Sequence, residues 1–433
     1  MNSITPTDVY QIVNAMAKSL YGGDTTLQAV DTTSFVSVGE TMLRTGYENT
    51  LAALTLQIGD TIFASRPYTG KFRLVARTEN EWATIRRKIS YFYDGFEASQ
   101  DWNTQLDSDQ LVDGASIDQY KIRKRYPLEV WFCGLKTLQK HWTRFRYQLR
   151  IAFKNEEEFA RFYEGLAVEI NNEIEMMREV ENQATVLNYI GALYQSGNAA
   201  MKVNLTAAFN AAKGTSYTSQ QLRTTYFSDF LAFFVATVKK NANMLEHNTN
   251  IYHLTPDKED DAGNKLVLLR HTPKAYQQLM LYRPFYIDAE AEVLPEIFND
   301  QYLKITNYEG VDYWQNPNDP TAVNVKPNYL DITTGQSKDA TAAVSIPYVL
   351  GIQYDYDALG IAYMIDDQIA TPVNAAANYY NTFLHFAKNY KNDFTENGIL
   401  YYMEDPAPEP DNPESNASLT EAASAGTAKA RKV

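Results

Sequence analysis

Between Asn155 and Gln195, apolar residues recur at spacings of three and four: Phe159, Tyr163, Leu166, Ile170, Ile174, Met177, Val180, Ala184, Leu187, Ile190 and Tyr194. The opposite positions carry Arg161, Glu164, Glu169, Asn172, Glu173, Glu175, Arg178, Glu179 and Gln183. This pattern predicts one amphipathic helix with a narrow buried stripe. At 1.5 Å per residue it is on the order of 60 Å long, against about 11–12 residues for an ordinary helix. Asn155 and Glu158 have capping-box spacing, and Glu156 to Glu158 suit the positive end of the helix dipole. An element of this length acts as a beam.

Other segments follow shorter patterns. Residues 6–20 predict a helix with Pro6 in its first turn and Val9, Ile12, Val13 and Met16 on one face. Residues 24–58 are rich in Thr and read as an arm rather than core. Thr61 to Phe63 and Phe72 to Val75 read as strands around the turn Pro67-Tyr68-Thr69-Gly70. From Asp94 to Ile117 the chain is polar, with Trp102 and Leu106 as its few anchors, and reads as a projecting hairpin. A strand from Tyr126 to Phe132 and a helical stretch from Leu135 to Tyr147 precede the long helix.

After the long helix, residues 218–246 predict a second helix, with Leu222, Tyr226, Phe230, Phe233, Phe234 and Val238 on its apolar side. Lys265 to Leu269 reads as a strand, and Pro273 to Tyr282 and Ala289 to Phe298 as short helices. Residues 306–345 are loop-rich. Tyr348 to Tyr354 and Leu359 to Ile365 read as a strand pair, and Tyr379 to Tyr390 and Ile399 to Met403 as late strands. The segment 405–433, with four prolines, no aromatic residue and a basic tip at Lys429, Arg431 and Lys432, has the composition of a disordered tail.

The 433 residues carry a net charge of −14, which argues against a general nucleic-acid clamp. The charge is unevenly distributed. Residues 71–150 hold 15 Lys/Arg against 10 Asp/Glu, and residues 288–414 hold 5 against 21. Blocks of opposite sign suit contacts between copies of the chain. Arg86, Arg87 and Lys88, and Arg123, Lys124 and Arg125, flank the projecting segment. With Glu173 and Glu175 on the polar face of the long helix, these are the candidate interface residues. The competing reading of each cluster is an ordinary solvated face.

Thirty-one tyrosines favour sheet surfaces and wet interfaces. The single cysteine, Cys133, lies in an apolar run and excludes an intrachain disulfide and a Cys-based zinc site. The five histidines do not form the helical two-histidine zinc motif or stand beside a nucleophile in a known pattern, and Asp366-Asp367 reads as a turn. No glycine pattern suits phosphate binding. No segment reads as a secretory signal or a membrane span, so the expected site of synthesis is a cytosol-like compartment.

The order of these parts resembles that of the Hong Kong 97-type major capsid proteins of tailed bacteriophages, with the greatest similarity to the coat proteins of small phi-29-like phages. The residues that carry the resemblance are Tyr126-Pro127-Leu128-Glu129-Val130, the run from Phe153 through Glu158-Phe159 to Tyr194-Gln195-Ser196-Gly197, and Tyr379-Tyr380-Asn381-Thr382-Phe383-Leu384-His385-Phe386. The resemblance implies an α+β Hong Kong 97-type fold. Its parts would be an N-terminal arm (1–58), an extended β-hairpin loop (59–126), a peripheral domain with the spine helix (127–216), an axial α/β domain (217–375), C-terminal strands returning to the peripheral domain (376–404) and a flexible tail (405–433).

It further implies hexamers and pentamers in an icosahedral shell around double-stranded DNA that is only loosely lined. The expected partners are portal, scaffold and decoration proteins. No membrane, cofactor, metal or catalytic residue is expected, and the location would be the virion capsid, assembled in the host cytoplasm. The alternatives are an encapsulin-like shell around protein cargo and a soluble α/β enzyme with an unrecognised site.

Overall fold

The computed structural model describes residues 6–22, 27–45, 70–77, 86–95, 120, 122, 124–132, 136–145, 147, 156–261, 263–285, 287 and 307–405. Its axis is helix α3 (Glu156–Gln195), 40 residues long. Among the described residues, two helices precede it, α1 (Pro6–Tyr21) and α2 (Thr32–Thr45), and three follow it, α4 (Leu205–Lys213), α5 (Ser219–Arg223) and α6 (Phe227–Leu245).

The first half of α3 lies against a four-stranded sheet. Its order is Ala76–Arg77, Leu359–Ala370, Tyr379–Asn392, Lys136–Phe145, antiparallel except for the short first strand. Phe159, Tyr163, Ile170 and Ile174 of α3 join Trp142, Leu384 and Phe386 of the sheet, together with Val9, Val13 and Met16 of α1 and Phe35, Val38 and Met42 of α2, in one buried cluster. Asp31 starts α2 by accepting hydrogen bonds from the Ser34 N–H at 2.7 Å and the Ser34 hydroxyl at 2.6 Å.

The second half of α3 covers one face of a five-stranded sheet ordered Lys202–Asn204, Gly398–Met403, Tyr348–Asp355, Gln277–Tyr282, Asn307–Val311. Met280, Ile352, Tyr354, Leu400 and Tyr402 pack towards Tyr189, Ile190 and Leu193 of α3. Leu279, Leu281, Leu350, Ile399 and Tyr401 pack on the other face, towards α4 and α6. A sheet covered on both faces favours continuous apolar runs over alternation, as in Gly398–Met403, where every residue is buried.

Several expectations change. The predicted helix at 135–147 is the strand Lys136–Phe145. Leu138 and Trp142 are four apart, a spacing shared by one helix face and one strand face, and pairing with Tyr379–Asn392 decides between them. The predicted helix at 273–282 is a 3-10 turn followed by the buried central strand Gln277–Tyr282. Phe72 to Val75 is likewise mostly a 3-10 turn. Tyr348–Asp355 and Leu359–Ala370 are both strands but do not pair; each belongs to a different sheet. Lys265 to Leu269 makes only isolated bridges, to Glu259 and Tyr93. Residues 32–45, read as arm, form a helix with a buried face. The helical pattern at 218–246 is broken into α5 and α6.

The stripe on α3 also drifts. Its positions repeat roughly every 3.5 residues, short of the 3.6 of a straight helix, so the row winds around the axis. Val180 is 61% exposed, while Asn182, Thr185 and Val186 beside the supposed stripe are buried. The expectations for Thr61 to Phe63, Trp102, Leu106, Cys133, the Asn155–Glu158 cap, Ala289 to Phe298 and residues 406–433 lie outside the described residues.

Candidate subunit interface

Arg86–Tyr91 and Pro127–Phe132 form a two-stranded antiparallel ribbon, with Arg86 opposite Phe132 and Tyr91 opposite Pro127. Successive strand residues point to opposite faces, so the basic run at 86–88 is divided. Arg87, Ile89 and Tyr91 face outwards with Glu129 and Trp131. Ile89, Tyr91, Tyr93 and Trp131 are all between 48% and 59% exposed. Arg87 pairs with Glu129 at 2.5 Å and lies over the Trp131 ring at 5.4 Å. This face offers a continuous apolar and aromatic row with little net charge.

The inner face holds the ribbon to the body. Phe92 and Leu128 meet Leu268 in a small cluster separate from the main cores. Lys88 reaches the turn after Asn392, where its ammonium contacts Asp393 Oδ2 at 2.6 Å, Thr395 Oγ1 at 3.3 Å and Glu396 Oε1. Arg270 completes the cluster, donating to Ser90 Oγ at 2.7 Å and to the Thr395 carbonyl at 3.0 Å and pairing with Glu396 at 3.5 Å. Two cations therefore meet two carboxylates.

The two acids respond differently to this setting. Burial raises both, but at Asp393 the Lys88 charge and hydrogen bonds from Lys88 and Thr395 more than offset it, holding the carboxyl below its ordinary value. At Glu396 burial dominates over Lys88 and Arg270, and the carboxyl is raised. Neighbouring His253 is pushed down by burial, with its ring nitrogens 3.3 Å from Asn397 Oδ1 and 3.0 Å from the Leu268 carbonyl.

The other candidate residues are distributed differently. Arg86 is half-buried on the inner face and Arg125 is exposed. Lys124 pairs with Asp261 at 3.0 Å, and Arg123 lies outside the described residues. Glu173 accepts from Trp142 Nε1 at 3.0 Å and pairs with Lys140 at 3.3 Å. Glu175 pairs with Arg178 at 2.9 Å. Lys88, Lys124, Glu173 and Glu175 thus have partners within their own chain. The strand and helix faces that carry them also meet the rest of the chain. The exposed line on α3 is Glu169, Met176, Val180 and Ala184.

Arg270, Asp393 and Glu396 were not singled out by spacing. The signal for the turn was the Asp-x-Thr pattern, in which Asp393 Oδ1 accepts from the Thr395 N–H at 3.0 Å and the Thr395 hydroxyl at 2.6 Å. A cleft of about 700 Å³ lies beside this turn, lined by the ribbon strand, Asn188, Leu330, Tyr390 and the hairpin at 334–337.

No protein-family model matches this chain, and no curated protein does. Solved structures that resemble it are phage capsid and head structures. The capsid of Staphylococcus phage Andhra is 9% identical over 79% of this chain and 86% of that one, with a TM-score of 0.49. A chain from the head fiber and inner core structure of bacteriophage P68 is 9% identical over 77% and 85%, at 0.48. The capsid of Myoviridae phage XM1 is 11% identical over 78% and 94%, at 0.38.

Proposed function

We propose that this chain is a major capsid protein of a tailed bacteriophage, the repeating subunit of an icosahedral shell. The supporting observation is the ribbon. It leaves the body with Ile89, Tyr91, Tyr93 and Trp131 half exposed in one row. Burying a large apolar side chain contributes about 1.5–3 kcal/mol, and aromatic residues with Arg are the usual anchors of protein interfaces. A second copy supplies a complementary surface in the line of Met176, Val180 and Ala184 on α3, bordered by Glu169. The stiff α3 ties both sheets of one subunit together, as a wall element requires.

In this reading the four-stranded sheet with the first half of α3 is the peripheral domain, and the five-stranded sheet with α4 and α6 is the axial domain. Residues 59–126 are the extended loop that adapts to hexamer and pentamer settings, while α1 and α2, expected as arm, pack with the peripheral domain. Arg86, Arg87, Arg123, Lys124 and Arg125 border the contact between copies. Net charge −14 suits a wall that does not grip packaged DNA. Portal, scaffold and decoration proteins are the further partners, and the relation to phi-29-like coat proteins rests on the sequence resemblance. The subunit performs no chemistry.

Size-exclusion chromatography and negative-stain microscopy of the expressed chain, alone and in infected cells, test this. Closed particles containing DNA are expected. A small oligomer under both conditions refutes the shell, and particles filled with protein cargo refute the DNA-containing capsid.

A further inference from the structure

The two sheets share no strand. Among the described residues the chain passes between them three times: through α3, through 356–358 and through 393–397. The two short crossings are bonded side by side. The Asp393 N–H donates to the Ala358 carbonyl at 2.7 Å, and the Asp355 N–H to the Asn397 carbonyl at 3.0 Å. Each crossing is also held by a basic side chain, the first by Arg77 and the second by Lys88 of the ribbon. Arg77 donates to the carbonyls of Tyr356 at 2.7 Å and Leu359 at 2.9 Å. Lys88 takes Asp393, Thr395 and Glu396.

We propose that Lys88 makes the ribbon a lever on the junction between the two sheets, so that ribbon direction and sheet-to-sheet geometry change together. The ribbon's own apolar anchor is small, comprising Phe92, Leu128 and Leu268 with partly buried neighbours. The charged cluster therefore carries much of the connection. Arg270 strengthens the link because it bonds the ribbon through Ser90 and the crossing through Thr395 and Glu396. The device deepens the shell reading, since a neighbour that grips the outer face of the ribbon would thereby act on the junction of the subunit it grips. The coupling itself is a property of the single chain, and it is measurable whether or not shells form.

Hydrogen exchange on the unassembled full-length chain tests it. Lys88→Met keeps the aliphatic stem and removes the charge. Exchange is expected to become about tenfold faster in 86–91 and 127–132, and also at the amides of Asp355 and Asp393 that bond the crossings together, while 277–282 and 399–403 keep their protection. Faster exchange confined to the ribbon overturns the proposal. Should Lys88→Met lose protection throughout, Arg77→Met decides by reciprocity. It holds the first crossing and also bonds the Leu74 carbonyl and Gln278 Oε1, and faster exchange in 127–132 is expected; unchanged exchange there overturns the lever. Microscopy of wild-type particles reports separately on the shell.

Discussion

Replacing the two acids that share Lys88, one at a time, should give unequal results. Asp393→Asn removes a carboxylate whose side chain is 1% exposed and whose oxygen lies 2.6 Å from the ammonium. Breaking a buried ion pair costs about 3–5 kcal/mol. Glu396 still neutralises Lys88, and the new amide still accepts from Thr395, so the expected loss is about 2–3 kcal/mol at neutral pH. Glu396→Gln should lie within about 1 kcal/mol of wild type, on the neutral or stabilising side.

The sign follows from linkage. The folded-state value of Asp393 is lowered, so its contribution is present above the ordinary carboxylate range and is lost as pH falls through that lowered value. The folded-state value of Glu396 is raised, so its ionisation opposes folding above that value, and the penalty is absent below the ordinary glutamate range. Urea unfolding of the unassembled chain, followed by circular dichroism between neutral pH and about pH 4, measures both. Any advantage of Glu396→Gln should fade on acidification, whereas the deficit of Asp393→Asn should persist. Equal losses at neutral pH, or a larger loss for Glu396→Gln, would refute the electrostatic assignment.

Ile174→Pro places a proline inside α3 at a buried position, costs about 3 kcal/mol or more, and should lower helicity by circular dichroism and abolish particles. Gly351→Ala puts a Cβ 2.5 Å from the Met280 carbonyl oxygen between two paired strands, and a loss of about 1–3 kcal/mol is expected in thermal melts. Trp131→Ser, on the exposed face, should leave the melting temperature within a few degrees of wild type and block assembly in microscopy; unchanged particles would remove the ribbon from the contact. Arg123, Lys124 and Arg125 all replaced by Glu should also block assembly, with circular dichroism reporting a folded subunit.

Local pattern was informative where one element meets one environment. The long helix was legible because its first half has one face on α1, α2 and a sheet, and the strands at 127–132, 379–392 and 398–403 because their residue types suit no other element. Legibility failed where two geometries share a period. Leu138 and Trp142 serve helix and strand equally well, and Gln277–Tyr282, buried on both faces, shows no period. The interface charges failed differently. Arg86-Arg87-Lys88 reads as one basic patch, but the strand pleat sends Arg87 to solvent and Lys88 inwards.

The sequence by itself determined the long axis, the late strands and the separation of a basic segment from an acidic one, because these depend on neighbours a few residues apart. Only the tertiary structure decided that Lys88 meets Asp393 and Glu396, some 305 positions away, and that the turn they occupy joins two sheets. Contacts at that separation are set by how sheets and helix pack in space, and no local spacing encodes them.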